Sequence, residues 1–124
     1  MIRTDKTVYD KPEPSDGERI LVMRLWPRGV SKEKVDLWLR EISPSDELRK
    51  WYSHDSTKWP AFRARYAGEL ADKKDLVERV RKLETRDGTV TLLFSSKEVK
   101  YNNAVALGII LGHAERGADH SLRS

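Results

Sequence analysis

The stretch Ile20-Leu21-Val22-Met23-Arg24-Leu25-Trp26-Pro27-Arg28-Gly29-Val30 narrows the folds open to this chain more than any other. It begins as a buried strand, apolar and partly β-branched. It cannot continue as one, because Pro27 has no amide to give to a ladder and Gly29 admits backbone angles that other residues avoid. A core strand, read from Arg19 to Leu25, therefore gives way to a tight cationic loop carrying Arg24, Trp26 and Arg28. Loops held on rigid strands are where binding groups usually sit.

A second strand follows much later in the chain. Thr89-Val90-Thr91-Leu92-Leu93-Phe94-Ser95 is apolar enough to be covered on both faces. The residues between the two strands repeat with a helical period. Val35, Trp38, Leu39 and Ile42 recur at i, i+3, i+4 and i+7, which predicts a helix capped by Ser31. Ser43-Pro44 starts another, with Asp46 as capping-box partner and Leu48, Trp51 and Tyr52 facing inward. A longer helix from Thr57 turns Trp59, Phe62, Tyr66 and Leu70 to one side. After a bend near Asp72, Leu76, Val77, Val80 and Leu83 do the same. Arg86-Asp87-Gly88 is a turn, and Asn102 or Asn103 can cap a last helix carrying Ala104, Leu107, Ile110 and Leu111. Ile2 to Tyr9 reads as an edge strand and 11–17, with two prolines and Asp-Gly, as a loop.

Helices interposed between two hydrophobic strands predict an α/β fold: a small single-domain sheet with parallel central strands flanked by helices. One domain is expected over 1–117, with 118–124 a frayed tail. In such sheets ligands collect beyond the carboxyl ends of the strands. If the two strands are neighbours, the loops after Arg24 and after Ser95 line one crevice. The last helix then aims its amide-rich end there, with roughly half a positive charge.

Composition removes several chemistries. There is no cysteine, so disulfides, thiolate catalysis and cysteine-held metals are out. No apolar run approaches the ~20 residues that span a bilayer, and no signal-peptide pattern opens the chain. A cytoplasmic location without membrane contact is expected. The net charge of +4 tolerates a polyanionic partner without demanding one. No cofactor and no metal are expected, since no second histidine stands at ligand spacing from His54, and His113 and His120 lie near a loose end.

The strings R-L-W-P-R-G-V-S-K-E at 24–33, P-S-x-E-L-R-K-W-Y-x-H-D at 44–55, W-x-x-F-x-x-R-Y-x-x-E-L at 59–70 and L-L-F-S-S-K-E at 92–98 closely resemble the domain-of-unknown-function family 488, in its short YeaO-like branch. The likeness runs from Ile2 to about Ala114. It implies a small α/β domain and brings no activity with it. The family pattern usually has an Asp where this chain has Met23, and His-Asn where it has Asn102-Asn103. Longer relatives place a Cys where Phe94 stands and a Cys-His-Arg near Tyr101. Acid–base catalysis and thiol chemistry by those stations are therefore not expected here.

The candidate ligand-binding residues are Arg24, Trp26, Arg28, Ser95, Ser96, Lys97, Asn102 and Asn103. Two arginines can fork onto a phosphate or carboxylate while an indole stacks on a ring. The structural alternative is that Trp26 anchors its loop in the core and the arginines pair with Asp36, Glu41 or Glu69. Ser95-Ser96-Lys97 offers hydroxyls and an ammonium just ahead of a helix, though an ordinary strand-to-helix turn would look the same. Trp38, Trp51, Trp59, Phe62 and Tyr66 stand at core spacing. The leading reading is a domain that binds a small anionic, phosphate-bearing ligand. The alternatives are a nucleic-acid-binding module using the basic loop, an enzyme with His54 as acid or base, and a partner-binding scaffold. The oligomeric state is not legible.

Overall fold

The computed structural model describes residues 1–112. Four short strands form one wholly parallel sheet: β1 (Ile2–Arg3), β2 (Glu18–Leu21), β3 (Leu37–Trp38) and β4 (Val90–Leu93), in the order β1-β4-β2-β3. The two strands legible as hydrophobic runs are neighbours at its centre, with Ile20 opposite Leu92 and Leu21 opposite Leu93. The sheet is joined by α1 (Asp46–Tyr52), α2 (Trp59–Leu70), α3 (Lys74–Asp87) and a last helix, α4, over 103–112. The expected small single-domain α/β fold is the one observed. The boundary expected at 117, the tail 118–124, His113 and His120 lie outside the described residues.

Period-two alternation on β2 and β4 divides the interior. Ile20, Val22, Val90, Leu92 and Phe94 face the helices, where Phe62, Tyr66, Leu70, Val80 and Leu107 close the main core. Leu21 and Leu93 face the other way and meet Val8, with Met23, Trp26, Val30, Val35 and Trp38 against them. Loops, not helices, cover that second face. Every residue of β4 is buried, as its unbroken apolar run requires. Tyr66 can lie fully buried because its hydroxyl donates to the Ile42 carbonyl at 2.6 Å.

The helix expected after Ser31 does not exist. Residues 32–42 contain β3 between two single 3₁₀ turns, Lys32–Lys34 and Arg40–Ile42. The amides of Asp36 and Leu39 donate to the carbonyls of Arg19 and Leu21, so the open edge of β2 takes this backbone. Val35 and Trp38 then pack on the loop-covered face, while Leu39 and Ile42 join the main core. The start of α1 also shifts. Ser45 rather than Ser43 is the cap, its hydroxyl accepting the Leu48 amide while Glu69 binds Ser45 in turn. The edge strand expected over 2–9 is reduced to β1 and one bridge from Thr7 to Phe94. The bend near Asp72 and the Asn102 cap are found as expected, with Asn102 Oδ1 accepting the Val105 amide at 2.9 Å.

Candidate functional site

The strand order reverses between β2 and β4. The chain leaves β2 toward β3 on one side, whereas α4, leaving β4, runs back over β1: Gly108 approaches Thr4 so closely that an added Cβ would sit 2.7 Å from its methyl. Divergent exits leave a hollow at the carboxyl ends of two central strands, the topological position where α/β sheets bind ligands. A crevice of about 500 Å³ opens there.

Three segments line it. From the loop after β2 come Met23, Arg24 and Leu25; from the end of α1 and the turn beyond it, Arg49, Lys50, Tyr52, Ser53 and His54; from the loop after β4, Phe94, Ser95, Ser96, Tyr101, Asn102 and Asn103. Phe62 of α2 completes the lining. Among the described residues three cationic side chains and one histidine thus share the crevice and no carboxylate lines it, in a chain with 20 acidic residues.

Arg24 is half-buried and incompletely satisfied. Its Nη2 donates a long bond to the Pro44 carbonyl, 3.5 Å. Its Nε is enclosed without a hydrogen-bond partner. Asp46 stands 3.7 Å from that nitrogen, near enough for charge attraction and too far for a hydrogen bond. The Asp46 side chain is exposed, so water screens the pair. A guanidinium with five donors and one long bond keeps most of its donor capacity. Asn103 is held by Nδ2 donating to the Val22 carbonyl at 2.6 Å, which ties α4 to the end of β2. Tyr52 donates to the Tyr101 carbonyl at 3.2 Å and stacks on Phe62 with centroids 4.3 Å apart. Burial, then the nearby Glu98, Asp55 and Tyr101, push its phenol upward, so it stays a neutral donor at ordinary pH.

The sequence candidates therefore divide. Arg24, Ser95, Ser96, Asn102, Asn103 and His54 meet around one hollow. Trp26, Arg28 and Lys97 do not line it. The Trp26 indole donates to the Val30 carbonyl at 3.0 Å and meets Trp38 edge-on at 5.4 Å, closing its own loop over the second face of the sheet. Arg28 and Lys97 are exposed. None of the expected arginine partners holds Arg24; Asp46 and Pro44 do. Arg49, Lys50 and Tyr52 were missed as site residues. No local signal could have found them, because where α1 stops against the sheet is set by packing far from its own residues.

That stop is strained. Ser53 and His54 both have positive φ, 45° and 57°, and they are the only such non-glycine residues among those described. Ser53 is the left-handed cap of α1, its amide donating to Arg49, a place glycine usually takes. Each costs roughly 1 kcal/mol, and the turn delivers His54 to the crevice mouth. Ser53→Gly should therefore stabilise the fold by about 0.5–1 kcal/mol, raising the melting temperature by about 2–4 °C. A drop in a thermal scan would show that the turn is not strained.

The family model described as "Inactive DUF488-N3 subclade" matches residues 1–123. The chain belongs to the DUF488 family. Among DUF488 relatives, "Uncharacterized protein YeaO" of Escherichia coli is 42% identical over 104 residues, covering 82% of this chain and 90% of that protein. "Uncharacterized protein Rv3073c" of Mycobacterium tuberculosis is 39% identical over 106 residues, 84% of this chain and 88% of that one. No solved structure matches. Met23, Phe94, Asn102 and Asn103, the positions where the resemblance implies a departure from the family pattern, all line the crevice. Among the described residues no helix is long and apolar enough to cross a membrane.

Proposed function

We propose that this DUF488 member is a non-catalytic domain that binds a small phosphate-bearing anion in the crevice between the loops after β2 and β4. The observation that carries the reading is the charge of the lining: Arg24, Arg49 and Lys50 converge there with no carboxylate among the described lining residues, the exposed Asp46 standing outside it at 3.7 Å from Arg24 and 3.9 Å from Arg49. Arg24 supplies the fork, its donors held in place and mostly unspent. Arg49 and Lys50 take the part first expected of Arg28 and Lys97. Ser95, Ser96 and the first amides of α4 add neutral donors. The family description "Inactive" supports binding without turnover, and the crevice-lining Met23, Phe94, Asn102 and Asn103 accord with it, since the resemblance implies an acid, a thiol and an imidazole at those stations in other members. A concave site favours a small ligand over a nucleic acid, which would need a continuous cationic track.

Thermal melts in inorganic phosphate and in pyrophosphate, against chloride at equal ionic strength, test this. Saturating anion should raise the wild-type melting temperature, a hundredfold excess over Kd contributing about 2.7 kcal/mol. Arg24→Gln should weaken affinity about ten- to a hundredfold, the loss expected for charged hydrogen bonds, with its unliganded melt unchanged. An equal rise in chloride would refute the reading. So would an Arg24→Gln protein that fails to fold, since the arginine would then be structural.

A further inference from the structure

The crevice is too large and too apolar for a bare anion. Its 500 Å³ lies in the range of sites that enclose whole organic ligands. Four rings line it, Tyr52, Phe62, Phe94 and Tyr101, together with Met23 and Leu25. Leu25 is 70% exposed and adds an apolar edge beside the cationic wall. Tyr52, Phe62 and Phe94 are nearly fully buried, while Tyr101 is half-exposed. Tyr101 is held by an edge-type contact with Trp59, centroids 5.3 Å apart, and by the Tyr52 bond to its own carbonyl. A ring fixed in this way offers a stacking surface whose ordering cost is already met.

We infer that the crevice takes a phosphate ester carrying an aromatic ring, the phosphate against Arg24, Arg49 and Lys50 and the ring against Tyr101 and Leu25. The inference rests on the anion-binding reading and names the body that bears the anion. Aryl phosphates and nucleoside monophosphates share this chemistry and differ in the reach between ring and phosphate.

Calorimetric titrations with phenyl phosphate, adenosine 5′-monophosphate, adenosine, ribose 5-phosphate and inorganic phosphate separate the cases. At least one ring-bearing ester should bind about ten- to a hundredfold tighter than both ring-free probes, the range expected for stacking on one side chain. Preference for phenyl phosphate indicates a ring joined directly to the phosphate, and preference for the nucleotide one joined through a sugar. Tyr101→Ala should remove that advantage and leave inorganic phosphate affinity within about twofold. Tyr101→Leu, which keeps apolar volume, serves as the check should the alanine variant melt early. If ring-bearing and ring-free phosphates bind alike, this inference fails and the anion reading stands. If adenosine without its phosphate binds as well as the nucleotide, or if no phosphate binds at all, both fail.

Discussion

Replacing Gly17 with alanine is expected to cost this fold about 4 kcal/mol or more, among the largest effects a single methyl can have. Gly17 has φ 61° and ψ −143°, a region essentially closed to residues with a Cβ. Space is the larger obstacle. A Cβ built there would lie 1.9 Å from the Thr89 carbonyl oxygen and 2.6 Å from its carbon. Both neighbours are backbone leading into β4, so neither can swing aside. Relief would require separating β2 from β4, the central pair of the sheet. Gly29 supplies the control: its φ is 74°, yet nothing lies within 4 Å of its missing Cβ. Gly29→Ala should cost only about 1 kcal/mol. Urea unfolding midpoints measure both, and equal shifts would show that the contact with Thr89 is not what limits position 17.

Asp16→Asn is expected to cost about 3–5 kcal/mol, because it leaves the buried Arg19 without its counter-charge and takes one of two carboxylates from Lys6 and from Arg3. Asp16 is fully buried beneath the loop-covered face of the sheet. Its Oδ2 accepts Arg19 Nη1 at 2.7 Å and its Oδ1 accepts Lys6 Nζ at 2.9 Å and Arg3 Nη1 at 3.2 Å. The Glu13 amide donates to it as well, at 3.1 Å. Arg19 is nearly as buried as the carboxylate it meets. Burial alone would raise the Asp16 carboxyl, but the bonds from Lys6, the Glu13 amide and Arg19 outweigh it and hold the group below the usual carboxylate range. A depressed folded value means stability that is complete above the unfolded value, about pH 4. That stability drains away as pH falls through the folded value. The stability gap between wild type and Asp16→Asn should accordingly be widest near neutrality and close under acid. Denaturant titrations across that interval measure it, and a gap independent of pH would mean the carboxylate charge is not what the three cations require.

The same two residues show how the chain divides between what is local and what is not. Asp16-Gly17 reads as a turn in any sequence, and it is one. Nothing local says that Asp16 is the centre of an ion cluster, because Arg3, Lys6 and Arg19 reach it only once β1 and β2 have paired on either side of β4 and the 5–17 loop has folded against them. Residues 35–42 carry the opposite lesson. Apolar residues at i, i+3, i+4 and i+7 describe a helix face, but they also satisfy a short strand between two turns whose side chains go to opposite faces. The unpaired edge of β2 decided between them. In the crevice, Arg24, Ser95, Ser96, Asn102 and Asn103 were legible because each follows directly from a strand whose direction the pattern gives. Arg49 and Lys50 were not, since the placement of α1 depends on packing far from its own residues.

By itself the sequence determined two parallel core strands, the helices after residue 45, the cationic loop that follows the first strand and the absence of cysteine chemistry, although that strand ends at Leu21 rather than at the expected Leu25. These depend on apolar runs, proline, glycine and residue type, which act within a few positions of the chain. Only the tertiary structure decided that β3 is a strand, that Trp26 turns away from the crevice and that the described lining holds three cations and no carboxylate. Those outcomes depend on which distant segments compete for one sheet edge and one hollow, and that competition has no local signature.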